Sequence, residues 1–281
     1  MLLTEQGKRA AYIPALEYMR IDKDNEPDFF YIEQNLKRLM QNNPFAKIYV
    51  TEGFICRNAN GLVDNLGRGG SDLTAAIVGN VLNANEVQIW TDIDGVHNND
   101  PRFVTNTFPL RQLSYDEAAE LAYFGAKILH PQTIQPCKVK NIPVVLKNTL
   151  NLTDEGTVIS SIKNRKGIKA VAAKDGITAI NIKSSRMLLA YGFLHRVFEV
   201  FDTYKTPVDM ITTSEVSISL TIDSTINLEK IVNALSQFAQ VEVERNQTIV
   251  CVVGDFPATH KGYAAMVFDC LREIPIRVIS Y

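Results

Sequence analysis

The segment Leu66-Gly67-Arg68-Gly69-Gly70-Ser71-Asp72 constrains this sequence most strongly, because of what flanks it. An apolar run, residues 48–55, precedes it and is predicted to be extended, and a run of helix-forming residues, 73–84, follows it. A strand, a glycine-rich turn and a helix in this order place backbone N–H groups at a helix start, where they can bind an anion. The pattern predicts an anion-binding turn.

Three side chains of the turn support this prediction. Ser71 is of a type preferred at the N-cap, and Asp72 falls in the first helical turn, where a negative charge is favoured. Arg68 provides a planar fork of donors that suits a carboxylate or a phosphate. The alternative is a plain glycine turn with a helix cap and a surface arginine, and the turn alone does not decide between the two.

Composition excludes several classes of function. The chain has 281 residues, of which 46% are apolar and 21% charged, as in ordinary globular proteins of about two domains. Its net charge of −2 gives no electrostatic reason to expect a nucleic-acid partner. No apolar run approaches the ~20 residues of a membrane helix, and the first residues lack a signal-peptide pattern, so we expect no membrane partner and a cytoplasmic location. The cysteines and histidines are scattered, so no protein-bound metal site is predicted.

The two halves of the chain have different patterns. Residues 1–150 alternate strand and helix, as in an open α/β sheet, whose ligands bind at the carboxyl ends of the strands. The polar stretch 151–167 is predicted to be a domain linker. Residues 176–247 read as strand, helix, two strands, helix and strand, which is the ferredoxin-like βαββαβ order. Residues 248–281 begin a further unit with a strand, a helix at 261–271 and a strand at 276–279.

Four motifs in order give the sequence a family resemblance. They are Gly67-Arg-Gly-Gly-Ser-Asp72, Trp90-Thr-Asp-Ile-Asp-Gly95 with Asp100-Pro-Arg102, Phe124-Gly-Ala-Lys-Ile-Leu-His-Pro131 and Ile211-Thr-Thr-Ser-Glu-Val216. Together they resemble aspartate kinase, a branch of the amino-acid kinases, and Gly69 with the fourth motif resembles the monofunctional, lysine-sensitive type. The resemblance implies that residues 1–150 are the C-terminal portion of an amino-acid-kinase (carbamate-kinase-like) open-sheet domain.

The resemblance also divides the second half into regulatory ACT domains. Residues 176–247 would form the first ACT domain, 168–175 the first strand of the second, and 248–281 the rest of an incomplete second. The family's Lys-Phe-Gly-Gly-Thr and Ser-x-Gly-Glu motifs do not occur in this sequence. The sequence is therefore interpreted as a fragment, and we expect it to be a poor kinase by itself.

By resemblance, the reaction transfers the γ-phosphoryl group of ATP to the β-carboxylate of L-aspartate and uses Mg²⁺. Such a transfer needs positioning and charge neutralisation more than covalent catalysis. The matching aspartate-binding residues are Arg68, Gly69, Gly70 and Ser71, and the matching catalytic residue is Asp72. The matching ATP-binding residues are Thr91, Asp92, His97, Arg102 and Lys127. His97 stands where relatives often have tyrosine, and His130 is interpreted as structural.

The same resemblance implies feedback inhibition by L-lysine, bound between two subunits of a homodimer or a dimer of dimers that associates through the ACT domains. The matching residues are Met187, Ala190, Phe193, Leu194, Pro207, Val208, Asp209, Ser214 and Glu215. Asp209 and Glu215 are carboxylates suited to an ammonium group. Core packing is an open alternative for Phe193, Leu194 and Val208. A non-catalytic, amino-acid-sensing regulatory subunit is the alternative function.

Overall fold

The computed structural model describes residues 2–124, 129–162, 167–184, 191–256 and 261–280. The chain divides into two compact units. Unit 1 comprises Met1–Ala172 with Cys251–Pro257, and unit 2 comprises Ala173–Val250 with Ala258–Tyr281. Each unit has its own core, and the two are described separately.

Unit 1 alternates short strands with helices, as the pattern of residues 1–150 predicts. Its elements are α1 (Leu2–Glu5), β1 (Ala10–Tyr12), α2 (Phe29–Gln41), β2 (Ile48–Val50), β3 (Ile55–Arg57), β4 (Val63–Asn65), α3 (Gly70–Leu82), β5 (Val87–Thr91), β6 (Gln112–Ser114), α4 (Tyr115–Tyr123), α5 (Pro131–Val139), β7 (Val144–Asn148) and β8 (Thr157–Ser160). The largest sheet of the unit has the order β5-β7-β8-β6, with β5 parallel to β7 and β6 parallel to β8. β1 pairs in parallel with β2.

Helix α3 lies between the two cores of unit 1. Its residues Leu73, Ile77 and Val81 pack in one core with Ile32 and Leu36 of α2. Ala76, on another side of the helix, packs in the second core with residues of β5, β7 and α5. A helix that is apolar on several sides is buried, and burial on two sides restricts its movement. The turn that begins α3 is therefore attached to a fixed element.

Helix α4 begins with a capping box, as the sequence Ser114-Tyr-Asp-Glu117 favours. The Ser114 side chain accepts from the Glu117 N–H (3.2 Å), and the Glu117 carboxylate accepts from the Ser114 N–H (2.8 Å). The same carboxylate forms an ion pair of 2.7 Å with Lys169, and both side chains are less than 8% exposed. This buried pair joins α4 to the strand that follows residue 166.

Unit 2 has the predicted ferredoxin-like order. Its elements are α6 (Phe193–Thr203), β10 (Ile211–Thr213), β11 (Ser217–Ile222), α7 (Leu228–Ser236) and α8 (Tyr263–Cys270), with most of β9 (Gly167–Lys183) and of β12 (Gln240–Asp255). The sheet order is β10-β11-β9-β12. Alternate residues of β9 and β11, such as Ile180, Ile182 and Leu220, pack against α6 and α7.

The structure corrects four of the sequence predictions. The extended run 48–55 is interrupted, because Phe54 takes a φ of +74° between β2 and β3. The predicted linker 151–167 contains β8, which enters the sheet of unit 1 because Thr157 and Ile159 alternate inward as buried residues. The strand predicted within 168–175 and the first strand of 176–247 are one strand, β9, and the last strand of 176–247 and the first strand of 248–281 are one strand, β12.

The fourth correction concerns the end of the chain. Residues 276–279 form no strand, and no strand among the described residues pairs with them, although Arg277 forms an ion pair with Glu244 (2.9 Å). The helix predicted before them is present as α8.

Candidate active site

The turn that precedes α3 depends on two glycines. Gly67 and Gly69 have φ values of +71° and +72°, a region in which side chains with a Cβ are strained. Gly69, and not the predicted Ser71, is the N-cap of α3, since it is Gly69 that leaves the helical conformation. Ser71 therefore lies within the first turn of the helix and is exposed.

The loop Thr51–Phe54 packs against this turn. The Phe54 N–H donates to Thr74 Oγ1 (3.0 Å), and the Thr74 hydroxyl donates to the carbonyl of Gly70 (2.8 Å). A Cβ on Gly70 would lie 2.8 Å from Cδ2 of Phe54, and one on Gly53 would lie 3.0 Å from Ser71. A Cβ at either position would displace its neighbour, so the two glycines permit this close packing. The loop is thereby fixed beside the first turn of α3, in a conformation that Phe54 adopts only under constraint.

Arg68 and Asp72 differ in their exposure. The Arg68 side chain is exposed, as expected for a residue that binds a ligand from solution. Asp72 is half-buried, and burial raises the pKa of its carboxyl group above the usual range. A cation beside Asp72 would offset this effect, because it stabilises the ionised carboxylate.

The predicted nucleotide-binding residues lie at the end of β5 and in the loop 92–110 that follows it. Thr91 is the last residue of β5, and its carbonyl accepts from both the N–H and the hydroxyl of Thr149, at 2.7 Å each. The Thr91 hydroxyl donates to the exposed Asp92 (3.1 Å). These residues therefore stand at the carboxyl end of a parallel strand, the position where open α/β sheets bind ligands.

His97 and Arg102 are both held by neighbours in the same loop. The His97 ring is within hydrogen-bond distance of Thr107 through Nδ1 (2.8 Å) and of Asp94 through Nε2 (2.7 Å). Arg102 forms an ion pair with Asp100 at 2.5 Å, and this partner raises the pKa of Arg102. The arginine is exposed, so its charge is accessible, although the guanidinium is already oriented by Asp100.

The N-terminus of α5 meets the Gly69 turn. His130 is the N-cap of α5 and Pro131 its first residue, and a Cβ on Gly69 would lie 2.6 Å from Cβ of His130. Nδ1 of His130 and Oγ1 of the fully buried Thr133 have no hydrogen-bond partner among the described residues. The motif that contains His130 is thus brought to the Arg68 motif. Lys127, from the same motif, lies outside the described residues.

A cavity of about 780 Å³ lies on the other side of the turn. Its lining includes Leu66 and Gly67 of the turn and residues of α2, α3 and α5. Of the predicted site residues it includes none, so its size does not identify the active site. Among the residues that the structure describes, no three His, Cys, Asp or Glu side chains form a group that could hold a metal ion.

The predicted lysine-binding residues separate into two groups within one chain. Ser214 and Glu215 lie in the turn after β10, beside the end of β9, since the Ser184 N–H donates to the carbonyl of Val216 (3.0 Å). Phe193 and Leu194 begin α6 near the same end, because Phe193 contacts Phe238, which precedes the start of β12. Phe193 is buried and Leu194 is exposed, which supports core packing for the first residue only.

The second group lies at the other end of the sheet. Pro207, Val208 and Asp209 follow the end of α6, and the Asp209 N–H donates to the carbonyl of Thr221 (2.9 Å). Five residues separate Asp209 from Glu215, and three of them form β10, so the two carboxylates lie beyond opposite ends of this strand. One chain therefore does not bring these two carboxylates together. Met187 and Ala190 lie outside the described residues.

Comparison with known proteins identifies the family. The family model described as "Amino acid kinase family" matches residues 1–148. The chain belongs to the amino acid kinase family. Within this amino acid kinase family, it is 36% identical to the lysine-sensitive aspartokinase 3 of Escherichia coli (strain K12) over 292 residues, an alignment that covers 100% of this chain and 65% of the relative. The chain thus spans about two thirds of that relative's length.

Two solved structures from the same branch are similar to the chain. One is E. coli aspartokinase III in complex with aspartate and ADP, with a TM-score of 0.88 and 33% identity. The other is E. coli aspartokinase III in complex with lysine and aspartate, with a TM-score of 0.78 and 34% identity. Each match covers 100% of this chain and 65% of that structure's chain.

The resemblance to aspartate kinases inferred from the four motifs is therefore confirmed, as is the α/β fold class. Among the described residues, no helix is both long enough and apolar enough to cross a membrane. The sequence did not indicate that Thr74 fixes the loop 51–54 against the turn. Its position in an apolar helix predicts core packing, and the backbone groups that it contacts are assembled only by the fold.

Proposed function

We propose that this chain carries the nucleotide-binding part and much of the aspartate-binding part of an aspartate kinase. The observation that carries the proposal is the packing of the Gly67–Asp72 turn against both His130 at the start of α5 and the loop that ends at Phe54. Two motifs that are about 60 residues apart in sequence meet at one helix start. The membership of residues 1–148 in the amino acid kinase family supports an enzyme over a purely regulatory subunit.

In this proposal, Arg68 binds a carboxylate of L-aspartate through its planar fork, and Gly69, Gly70 and Ser71 provide the adjoining backbone. The first turn of α3 contributes unpaired N–H groups and the positive end of the helix dipole. The β-carboxylate oxygen attacks the γ-phosphorus of ATP, the bond to the β,γ-bridging oxygen breaks, and the products are 4-phospho-L-aspartate and ADP. No proton has to be removed from the nucleophile, since it is already ionised.

In the same proposal, the nucleotide is bound by Thr91, Asp92, His97, Arg102 and Lys127. The exposed Arg102 would neutralise charge on the phosphates, because charge neutralisation is the main requirement of phosphoryl transfer. Mg²⁺ enters as the MgATP substrate. It is usually held by one or two carboxylates together with phosphates and water, so Asp72 can take part without a cluster of protein ligands. A cytoplasmic location remains a prediction.

We further propose L-lysine as the feedback inhibitor, at a site shared between two copies of the chain. The geometry within one copy supports sharing, since Asp209 and Glu215 lie at opposite ends of the unit 2 sheet. In an antiparallel pairing of two such sheets, the Asp209 end of one copy would approach the Glu215 end of the other. This arrangement requires the homodimer that the ACT resemblance implies.

The test is an assay of ATP-dependent aspartyl phosphate formation, in which hydroxylamine traps the product as a hydroxamate. The assay uses the protein expressed from its complete gene. Aspartate-dependent hydroxamate formation is the expected result, and Asp72→Asn should reduce it by at least 100-fold. MgADP binding to the 281-residue chain, measured by calorimetry, is the second measurement. If the protein binds lysine but neither binds MgADP nor forms the hydroxamate, the chain is a regulatory subunit.

A further inference from the structure

The loop 92–110 is closed by a small set of hydrogen bonds at its two ends. The Leu110 N–H donates to the carbonyl of Val96 (2.7 Å), and the N–H of Asn98 donates to the carbonyl of Phe108 (3.1 Å). In the reverse direction, the N–H of Phe108 donates to the side chain of Asn98 (2.9 Å). The part of the loop from Val96 to Leu110, which carries His97 and Arg102, is therefore closed, and its placement depends on what holds its ends.

One buried side chain, Thr157, the first residue of β8, joins the two ends, and the backbone also holds the loop, since the Val171 N–H donates to the carbonyl of Asn98 (2.9 Å). The Thr157 hydroxyl donates to the carbonyl of Leu110 (2.7 Å) and accepts from the N–H of Val96 (2.9 Å). Thr157 is fully buried, and Val96 and Leu110 are less than 10% exposed. Water therefore does not replace the hydroxyl freely, and its loss leaves a buried donor and a buried acceptor unpaired.

Glycines on both sides of this hydroxyl allow the backbone to approach closely. A Cβ on Gly95 would lie 2.5 Å from Thr157 Oγ1, and one on Gly156 would lie 1.9 Å from the carbonyl oxygen of Leu146. Gly95 thus permits the close approach of the loop to β8, and Gly156 permits the close approach of the start of β8 to β7. The arrangement is specific for a small side chain with one donor and one acceptor, which is threonine or serine.

We propose that Thr157 is a positioning residue for the nucleotide. It does not touch the ligand in this proposal. It fixes Val96 and thereby positions the neighbouring residues Asp94 and His97. The Asp94 carboxylate and Nε2 of the His97 ring lie within hydrogen-bond distance of each other (2.7 Å). The inference rests on the proposed function, because it assumes that the loop 92–110 binds the nucleotide.

Unit 1 contains a matched control for this residue. Thr74 is also buried, at 4% exposure, and its hydroxyl likewise joins two backbone groups, the N–H of Phe54 and the carbonyl of Gly70. It holds the loop beside Arg68, on the side assigned to aspartate. A Thr→Val substitution removes the same chemistry at each position and keeps the shape of the side chain.

The experiment is calorimetric titration of the 281-residue chain with MgADP. Thr157→Val should weaken binding about 10-fold or more, as expected when a pair of hydrogen bonds of about 1 kcal/mol each is lost from the loop. Thr157→Ser, which keeps the hydroxyl, should stay within about 3-fold of the wild type, and so should Thr74→Val. If Thr157→Val does not fold, Thr157→Ala and Thr157→Ser replace it, since both lack the methyl group and only one keeps the hydroxyl.

Amide hydrogen exchange provides a second readout that a loss of stability alone would not produce. Thr157→Val should speed exchange at Val96 and Leu110 at least 10-fold more than at α3. Equal MgADP affinity in folded Thr157→Val and wild type would overturn this inference alone. Failure of the wild type to bind MgADP would overturn the nucleotide assignment itself, and this inference with it.

Discussion

Gly69 and His130 lie in contact, although 61 positions separate them in the sequence: a Cβ on Gly69 would stand 2.6 Å from Cβ of His130. Gly67 has almost the same φ, +71° against +72°, but a Cβ there would meet no atom within 4 Å. The two glycines thus share a backbone constraint and differ in their surroundings.

This difference gives the first prediction. Gly67→Ala should lower the free energy of unfolding by about 1–2 kcal/mol, the cost of a left-handed conformation for alanine. Gly69→Ala should lower it by a further ~1–3 kcal/mol, because the methyl group overlaps His130. Urea unfolding of both variants measures the difference. Equal losses would mean that α5 moves away from the turn without cost.

The second prediction concerns the buried ion pair of Glu117 and Lys169. Lys169→Met should destabilise the protein by about 3–5 kcal/mol, because it leaves a buried carboxylate without its counter-charge. Lys138→Met is the control, since its partner Asp116 is next to Glu117 on α4 but the pair is exposed. We expect a change of less than about 1 kcal/mol there. Denaturant unfolding of the two variants checks the contrast, and similar losses would contradict it.

The third prediction is a pH dependence due to Asp72. Burial raises its folded-state pKa, so between the unfolded value, about 3.9, and the folded value the native state binds more protons than the unfolded state. Stability therefore falls as pH rises through this window, and Asp72→Asn should remove that fall. The difference in the free energy of unfolding between Asp72→Asn and the wild type should be larger at pH 7 than at pH 3.5. MgADP should lower the Asp72 pKa and so reduce this difference in the free energy of unfolding. A difference that does not change with pH would exclude the raised pKa.

Much of the fold could be predicted from the sequence, since the helical and strand patterns of unit 2 and the capping box at Ser114 are local signals. The N-cap of α3 could not, because both Ser71 and Gly69 are suitable types and only the backbone conformation selects Gly69. The hydroxyl contacts of Thr74 and Thr157 join groups 20 and 61 positions away and arise only from tertiary packing. The polar composition of 151–167 concealed β8, whose four residues are too few for a clear pattern.

The fourth prediction tests the aspartate assignment of Arg68. Arg68→Lys should raise KM for aspartate at least 10-fold and KM for ATP less than 3-fold, because an ammonium group cannot replace the bidentate fork. Arg111→Lys is the control, since Arg111 is half-exposed and pairs with the exposed Glu155. The measurement is initial rates of hydroxamate formation at varied concentrations of each substrate. Equal increases in the two KM values would show that Arg68 is not the aspartate clamp.

The fifth prediction concerns lysine. Asp209→Asn should weaken lysine binding by roughly 10- to 150-fold, as expected when a charged hydrogen bond of about 1.5–3 kcal/mol is lost. Asp202, which is exposed and pairs with Lys205 at the surface, provides the control, and the Asp202→Asn variant should bind lysine normally. Calorimetry measures both, and sedimentation with and without lysine reports dimer formation. Unchanged affinity in Asp209→Asn would place the ligand elsewhere.

Strand β9 limits where the chain can be recombined with that of a relative. It is one strand from Gly167 to Lys183, although Gly176 takes a φ of +78° within it, and its residues contribute to two cores, Ala170 and Ala172 to one and Ile180 and Ile182 to the other. Because side chains alternate along a strand, inserting or deleting one residue near Asp175 would reverse the faces on one side of the change relative to the other. A recombination point placed at the boundary between the two units would therefore cut through a shared strand. Replacing unit 2 by the corresponding unit of a relative should succeed only when the whole of β9 is transferred and the alternation of its side chains is kept.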